Sequence, residues 1–522
     1  MPPEASVSSS AEPEPRLKRI PEAQPSGMPL LLLRWAFSFP AMLSTLLAAL
    51  TVLTVRSRFN DPDLWWHLKI GEIVWKTHSI PRVDPFSFTT HAHAWTAHEW
   101  LAQLTMYGAW KFGGYTGLML WLCVVPSVLF VLLYVLCSLY SGNAKVSLIG
   151  GLTGWFFATV GLAVRPMIIG YLFLVVELLL IHLARTRSRR WLIALPPLFA
   201  VWVNCHGSYV LGLMVWGVFW CCSFFDLSLG SLACRRWPAE DCRWLGLAGI
   251  FCIAALLLNP LGIRLLQYPF NVFLHQTNGL AYVDEWRPPN PDDVRTLGLF
   301  AVAGIVFLLA LLRRVEFRLE EVLLLAIGFG MAVRHQRMLF VFGILAAPLV
   351  SRLLSGAWER YDPRRDHRIA NSVVMLASIA LMFAVFPTRA QLQQQVATTS
   401  PVRAVDFIRR TGLKGPMLND YGFGGYLIWA LPEEKVFIDG RGDVYDWTGV
   451  FGEMARWALL QEDPTLLLNR YAINYCLLAK TAPMAQALPF LPGWKRIYAD
   501  DLAVIFVRTE RPASLQSAVK SY

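Results

Sequence analysis

Residues 41–68 read AMLSTLLAALTVLTVRSRFNDPDLWWHL, an apolar run that ends at Arg56 and Arg58 and passes directly into two carboxylates, two tryptophans and a histidine. The run extends over roughly 30–54, a length that crosses a bilayer. It is too long for a signal-peptide core and no cleavage site follows, so it reads as a retained anchor. The loop after it, 55–115, carries Asn60-Asp61-Pro62-Asp63-Leu64-Trp65-Trp66-His67-Leu68, then Asp84-Pro85, then His98-Glu99-Trp100. A segment that merely joined two spans would need none of these side chains.

The pattern repeats along the chain. Of 522 residues, 55% are hydrophobic and only 16% charged, against about 25% charged in soluble domains. Further apolar runs lie near 116–139, 145–164, 167–184, 191–204, 208–226, 244–259, 296–312, 319–333, 338–354 and 371–387, which makes about eleven spans. The net charge of +11 does not point to nucleic acid, because the positive residues sit in short clusters between apolar runs. Arg185, Arg187, Arg189 and Arg190 form one cluster; Arg235, Arg236 and Arg243 a second. Arg313, Arg314 and Arg318 form a third, and Arg360, Arg364, Arg365 and Arg368 a fourth. With eleven spans, all four fall on the side of the N-terminus, which the positive-inside rule makes cytosolic.

The expected architecture is therefore a polytopic α-helical protein of the cytoplasmic (inner) membrane, surrounded by lipid, with its N-terminus in the cytosol and a C-terminal extracytoplasmic α/β domain. Residues 1–28, rich in Pro, Ser and Glu, read as a disordered cytosolic tail. Residues 29–388 form the membrane part and 389–522 the outer domain. In that domain the sequence predicts strands at 416–420, 435–439, 475–479 and around 494–507, with helices at 424–431, 449–461 and 464–471 and a loop at 440–445. Neither GxGxxG nor GxxxxGK[ST] occurs, so a nucleotide cofactor is not expected. An outward-facing enzyme then needs a membrane-borne activated substrate. The nine cysteines lack CxxC spacing and read as apolar thiols.

This topology places the chemically notable groups on one face. Asp61 before Pro62 suits a helix N-cap, and Asp63 then complements the macrodipole. In such a helix Asp63 and His67 share a face at i, i+4, fit for a base or a pair of metal ligands. Carboxylate oxygens suit Mg or Mn, so a divalent cation held by Asp61 and Asp63 is the expected form of any metal. His91, His93, His98 and Glu99, near Asp84, could compose a metal site or read as a polar loop with satisfied histidines, and His98-Glu99 also reads as a substrate-contacting pair. Arg165, Arg334 and Arg337 sit at outward span ends, where they snorkel to headgroups or bind a lipid phosphate. Asn204 and His206 interrupt an apolar run on the same face.

Several of these motifs resemble a known family. Many spans, an acidic outward loop after the first and an outward α/β domain are similar to the GT-C glycosyltransferases, which use polyprenyl-phosphate-linked sugars. Asp63-Leu64-Trp65-Trp66-His67-Leu68, His98-Glu99-Trp100-Leu101, Asn419-Asp420-Tyr421-Gly422, Gly424-Gly425-Tyr426-Leu427 and Phe437-Ile438-Asp439-Gly440-Arg441 resemble signatures of bacterial GT-C-like membrane proteins over most of the chain. A fainter likeness is to the catalytic subunit of oligosaccharyltransferases. There an Asp-x-Trp segment of the first external loop binds metal, and a Trp-Trp-Asp-Tyr-Gly motif contacts the acceptor. Asp63-Leu64-Trp65 and Asp420-Tyr421-Gly422 match parts of these, but Leu418 and Asn419 stand where the two tryptophans would be, so recognition of an acceptor peptide is not implied.

The resemblance implies sugar transfer from a polyprenyl phosphate or pyrophosphate to an acceptor at the outer face. Asp63 or Asp61 would act as base or metal holder, with His67 beside them. His98, Glu99, Arg165, Arg334, Arg337, Asp420, Tyr421, Asp439 and Arg441 would contact substrate, although Asp439-Gly440-Arg441 reads equally as a turn with a structural ion pair. A transporter or flippase of lipid-linked solutes would instead show charges or Gly/Pro breaks at mid-span. A non-catalytic envelope scaffold would leave the carboxylates dispensable.

Overall fold

The computed structural model describes residues 36–90, 93–275, 283–312 and 315–509. The expected tail at 1–28, His91, Arg313 and Arg314 lie outside these residues. A helix lies at every one of the apolar runs. In chain order these and the helices between them are α1 (Phe39–Val55), α2 (Leu64–Thr77), α3 (Trp100–Ser141), α4 (Ala144–Ala158), α5 (Met167–Thr186), α6 (Leu195–Cys205), α7 (Tyr209–Cys222), α8 (Ala239–Ala255), α9 (Ile263–His275), α10 (Val294–Leu311), α11 (Leu319–Arg334), α12 (Leu339–Leu353) and α13 (Arg368–Ala384). Among the described residues four helices are long and apolar enough to cross a membrane: Trp100–Ser141, Met167–Thr186, Val294–Leu311 and Gln336–Leu353. A fifth follows if α13 and the bent continuation Arg389–Ala397 count as one span.

The loops between these helices sort to two ends of the bundle. At one end Arg165, between α4 and α5, meets Asp61 after α1 and Glu285 before α10. His206, between α6 and α7, meets Glu99 before α3, and Asn204 reaches the Leu258 carbonyl after α8. At the other end Arg185 pairs with Glu320, Arg352 with Glu321, and Arg189 with Glu240. A short sheet closes that second end, made of β1 (Leu227–Leu229), β2 (Leu232–Cys234) and β3 (Phe317–Arg318).

Within the first loop, α2 packs along the start of α3, where Gly71 lies against Gln103 and Tyr107 and leaves no room for a β-carbon. Helix α3 is interrupted at Gly114, whose φ of 55° and ψ of −135° lie outside the helical region and open to glycine. The break falls just before the apolar run at 116–139, so the chain turns there from the loop into the bundle.

The C-terminal part holds α14 (Arg389–Ala397), α15 (Val402–Thr411), β4 (Met417–Asn419), α16 (Gly424–Ala430), α17 (Gly442–Trp447), α18 (Val450–Ala458), α19 (Pro464–Arg470), β5 (Tyr475–Ala479), α20 (Pro483–Ala487), β6 (Trp494–Ala499) and β7 (Ala503–Arg508). The sheet order is β4-β5-β7-β6, with β4 parallel to β5 and the other pairs antiparallel. Two expectations are corrected here. Residues 435–439 are no strand of this sheet; Val436 exchanges backbone hydrogen bonds with Phe86 and Phe88 of the first loop instead. The stretch 440–445, read as loop, contains the start of α17.

That swap joins the domain to the loop, and a buried ion cluster fastens the junction. Arg441 and Asp439 are fully buried, and the Arg441 guanidinium bridges Asp439 at 2.6 Å and Asp84 at 2.7 Å. Tyr445 donates its hydroxyl to Asp439 at 2.5 Å, and Phe86 and Trp95 lie under the guanidinium. Burial alone would raise the pKa of Asp84. Arg441 and the hydroxyls of Ser87 and Thr90 outweigh it and hold the carboxyl below its usual range. Arg441, backed by Asp439, therefore faces Asp84 across the loop–domain seam rather than a substrate. Replacing Arg441 by Met leaves two buried carboxylates unpaired and should cost about 3–5 kcal/mol, seen as a lowered unfolding temperature and faster proteolysis after residue 389. Lys at 441 should restore little, because a point charge cannot bridge both carboxylates as the fork does.

Candidate functional site

The segment Asp61–Trp66 lies between the bundle and the C-terminal domain. Helix α2 begins at Leu64, so the N-cap is Asp63 and not the expected Asp61. The reason is local: Asp61 Oδ1 accepts the backbone N–H of Asp63 at 2.9 Å, a turn that delays the helix by two residues. Asp63 Oδ1 in turn accepts from Trp66 Nε1 at 3.3 Å. Gly440 of the domain comes so near Asp63 that a β-carbon there would collide with the carboxylate, and Gly425 abuts the Pro62 carbonyl in the same way. Both glycines belong to the motifs singled out in the sequence, and close approach is what they permit.

The charges form two linked groups. In the first, Arg165 donates from Nε to Asp61 Oδ2 at 2.5 Å, its Nη2 lies 3.0 Å from Asp63 Oδ2, and Nη1 contacts Glu285. Arg337 approaches Glu285 at 3.8 Å and lies over the Trp286 ring at 4.4 Å. Its Nε is buried without a hydrogen-bond partner among the described residues. Burial raises the pKa of Asp63; Arg165 opposes this, while Asp61 and Glu285 add to it.

The second group surrounds Glu99. His206 Nε2 lies 3.4 Å from its carboxyl, and His98 Nε2 and His67 Nδ1 each 3.6 Å away. Burial lifts Glu99 to about 8, with Arg337 opposing. Burial also lowers His98 to about 4 and pushes His67 and His206 well below their ordinary value. At neutral pH the group is thus a protonated carboxyl among neutral imidazoles. The hydrogen bonds agree with that state. His206 Nδ1 accepts from the Ser208 N–H at 3.0 Å, which puts its proton on Nε2, towards Glu99. His98 Nδ1 lies 3.2 Å from the Thr96 carbonyl and donates to it, which turns a lone pair towards the same carboxyl. Tyr268 stacks on His98 at 4.2 Å and donates to Asp443 at 3.1 Å. Burial raises Asp443 to about 6 against the pull of Arg441.

The structure brings Asp61, Asp63, Arg165 and Arg337 together, and His67, His98 and Glu99 beside them. The Asp63–His67 side-chain pair expected at i, i+4 does not form: Asp63 turns to Arg165, and His67 to Gln103 at 3.0 Å and Glu99. Arg334 ends α11 exposed and joins none of these ion pairs. Asp420 spends its carboxylate on the backbone N–H groups of Gly422 and Ala479, so it shapes its own turn. Tyr421 borders the site, with its hydroxyl 3.4 Å from the Gly440 carbonyl. Glu285, His206, Tyr268 and Asp443 complete the site. Asn204 and His206 stood out in the sequence, but Tyr268 and Asp443 carried no signal of their own there.

A divalent cation shared by Asp61 and Asp63 needs their oxygens free to converge within about 2.0–2.2 Å of one point. Both carboxylates point instead at the nitrogens of Arg165, so a cation does not fit between them while that side chain stays in place. Among the described residues, Cys222, Cys234 and Glu320 also place ligand atoms within 4.8 Å of one another. They lie at the opposite end of the bundle, where Glu320 is held by Arg185.

A scan against protein-family models and a search of curated proteins match nothing. Solved structures do match. The Archaeoglobus fulgidus oligosaccharyltransferase tethered to an acceptor peptide with the NVT sequon superposes at a TM-score of 0.50 and 10% identity, over 85% of this chain and 70% of that one. The apo form of the enzyme gives 0.48 at 11% identity over 84% and 69% of the two chains. The archaeal oligosaccharyltransferase AglB with an inhibitory peptide and a dolichol-phosphate gives 0.47 at 10% over 84% and 69%. At 10% identity the likeness to the peptide-tethered structure shows a shared fold: a helical part carrying an α/β domain.

The Glu99 group makes a pH prediction. A carboxyl raised in the folded state stabilises fully below its unfolded pKa and loses that contribution as pH rises through about 8. Wild type should therefore lose apparent melting temperature between pH 5 and 8. Glu99→Gln, which mimics the protonated acid, should be as stable as wild type near pH 5 and show a flatter profile above it.

Proposed function

We propose that this protein is an integral-membrane glycosyltransferase, moving a sugar from a polyprenyl phosphate or pyrophosphate to an acceptor at the outer face of the cytoplasmic membrane. In this reading the N-terminus is cytosolic, about eleven helices cross the bilayer, and the C-terminal domain is extracytoplasmic. The carrying observation is the convergence of Asp63, Arg165 and Arg337 at one end of the bundle, under a domain that approaches Asp63 through Gly440. The shared fold supports it. So does a groove of about 710 Å³ between the C-terminal end of α2 and the start of α3, where Val74, Trp75, Ile80, Trp100 and Leu104 line it together with the polar His78 and Arg82, and which would take an isoprenoid chain.

In the reaction the bond from the anomeric carbon to the lipid phosphate oxygen breaks, and a bond from that carbon to the acceptor oxygen forms. Asp63 takes the proton of the acceptor hydroxyl; its raised pKa makes it a stronger base than an ordinary carboxylate. The negative charge developing on the departing phosphate goes to Arg337, whose buried Nε has a donor to spare. Asp61 and Glu285 hold Arg165 and through it orient Asp63. Glu99, protonated, holds His98 and His206 where Tyr421 and Asp443 close the acceptor side.

One observation favours a second reading, translocation of a lipid-linked solute. Glu177 lies midway along α5, fully buried, with neither carboxyl oxygen hydrogen-bonded among the described residues. Transfer from radiolabelled polyprenyl-linked sugars separates the two. Asp63→Asn should lower transfer by roughly a hundredfold or more, and Arg337→Gln by about a hundredfold, while Glu177→Gln leaves it within a few-fold. Full transfer by Asp63→Asn and by the Asp61→Asn, Asp63→Asn double variant would sink the glycosyltransferase reading.

A further inference from the structure

Three carboxylates from two segments far apart in the chain converge on one guanidinium. Asp61 takes Nε of Arg165, Asp63 takes Nη2 and Glu285 takes Nη1, so each guanidinium nitrogen faces its own carboxylate. Such a constellation, two carboxylates of one turn and a third from a distant segment aimed at one point, is what a divalent cation site requires. Here the centre is already taken by a cation. The side chain is 18% exposed, and a guanidinium does not lose its proton in proteins.

We propose that Arg165 is the resident cation of this site, occupying the place a divalent metal would hold between Asp61, Asp63 and Glu285, so that the chain works without one. The proposal deepens the glycosyltransferase reading and rests on it for its functional meaning, but the binding it describes is testable without any transfer assay. A planar fork with three directed donors fixes the orientation of each carboxylate, as a coordination sphere would. It also carries one positive charge instead of two, which leaves Asp63 basic enough to accept a proton. Arg337, 3.8 Å from the far oxygen of Glu285, remains the cation free to meet a phosphate.

Mn(II) serves as the probe. Full-length protein in detergent, freed of metal with a chelator, is titrated with Mn(II), and free ion is read by electron paramagnetic resonance. Wild type should bind none at this site, and chelator should leave its unfolding temperature and its transfer rate unchanged. Arg165→Ala exposes three converging carboxylates and should gain one equivalent, which the further change Asp63→Asn removes. Arg165→Lys keeps a cation in place and should gain none. One equivalent bound by wild type and lost in Asp63→Asn would overturn the proposal, as would a folded Arg165→Ala that binds none. If Arg165→Ala does not fold, the wild-type titration decides alone. Should Asp63→Asn transfer sugar at full rate, the glycosyltransferase reading fails while the Mn(II) result stands.

Discussion

A guanidinium taken out of water is tolerated only where carboxylates surround it, and this constraint organises the molecule around Arg165. Its partners come from the loop after α1, from the N-cap of α2 and from the segment before α10. None can move without weakening the compensation of a buried charge, so the loop, the bundle and the segment under the C-terminal domain hold a common geometry. Arg441 applies the same rule one layer out. It is fully buried between Asp84 of the loop and Asp439 of the domain, and it keeps the domain pressed on Asp63. One ion cluster orders the site and the other keeps its cover in place.

The helices and strands were largely legible in the sequence because long apolar runs are a strong signal. Among the described residues each apolar run carries a helix, although four, or five with the bent pair, are long and apolar enough to cross a membrane, against the eleven or so spans expected. Strands β4, β5, β6 and β7 fall where strands were expected. Residues 435–439 misled for a physical reason. Val436, Phe437 and Ile438 are buried as a strand's residues would be, but Asn419 and the Phe86–Phe88 backbone satisfy their hydrogen bonds instead of a ladder. A sequence pattern reports burial and not the partner that provides it.

The convergence of the candidate residues was legible in part. Asp61, Asp63 and Glu99 of the segment 60–100 do meet Arg165 and its neighbours in the structure, because buried charge in an apolar chain is costly and draws partners together. The pairings inside it were not legible. Asp63 and His67 share a helix face, yet Arg165 draws one and Glu99 the other, and long-range charge outweighs i, i+4 proximity. Asp439-Gly440-Arg441 looked equally suited to binding or to an ion pair, and only its complete burial separates the two. Tyr268 and Asp443 were invisible because their meaning comes from each other, across a separation of 175 residues.

The reading of Asn60–Trp100 as the floor of a lipid-phosphate site is tested most directly by a cryo-EM structure of the protein in nanodiscs with a polyprenyl phosphate. Phosphate density should lie against Arg337, the isoprenoid along the groove at Trp75 and Trp100, and the Asp63 carboxylate should face the phosphate oxygen that would carry the sugar. Phosphate density at the opposite end of the bundle, among Arg185, Arg235 and Arg352, would contradict it.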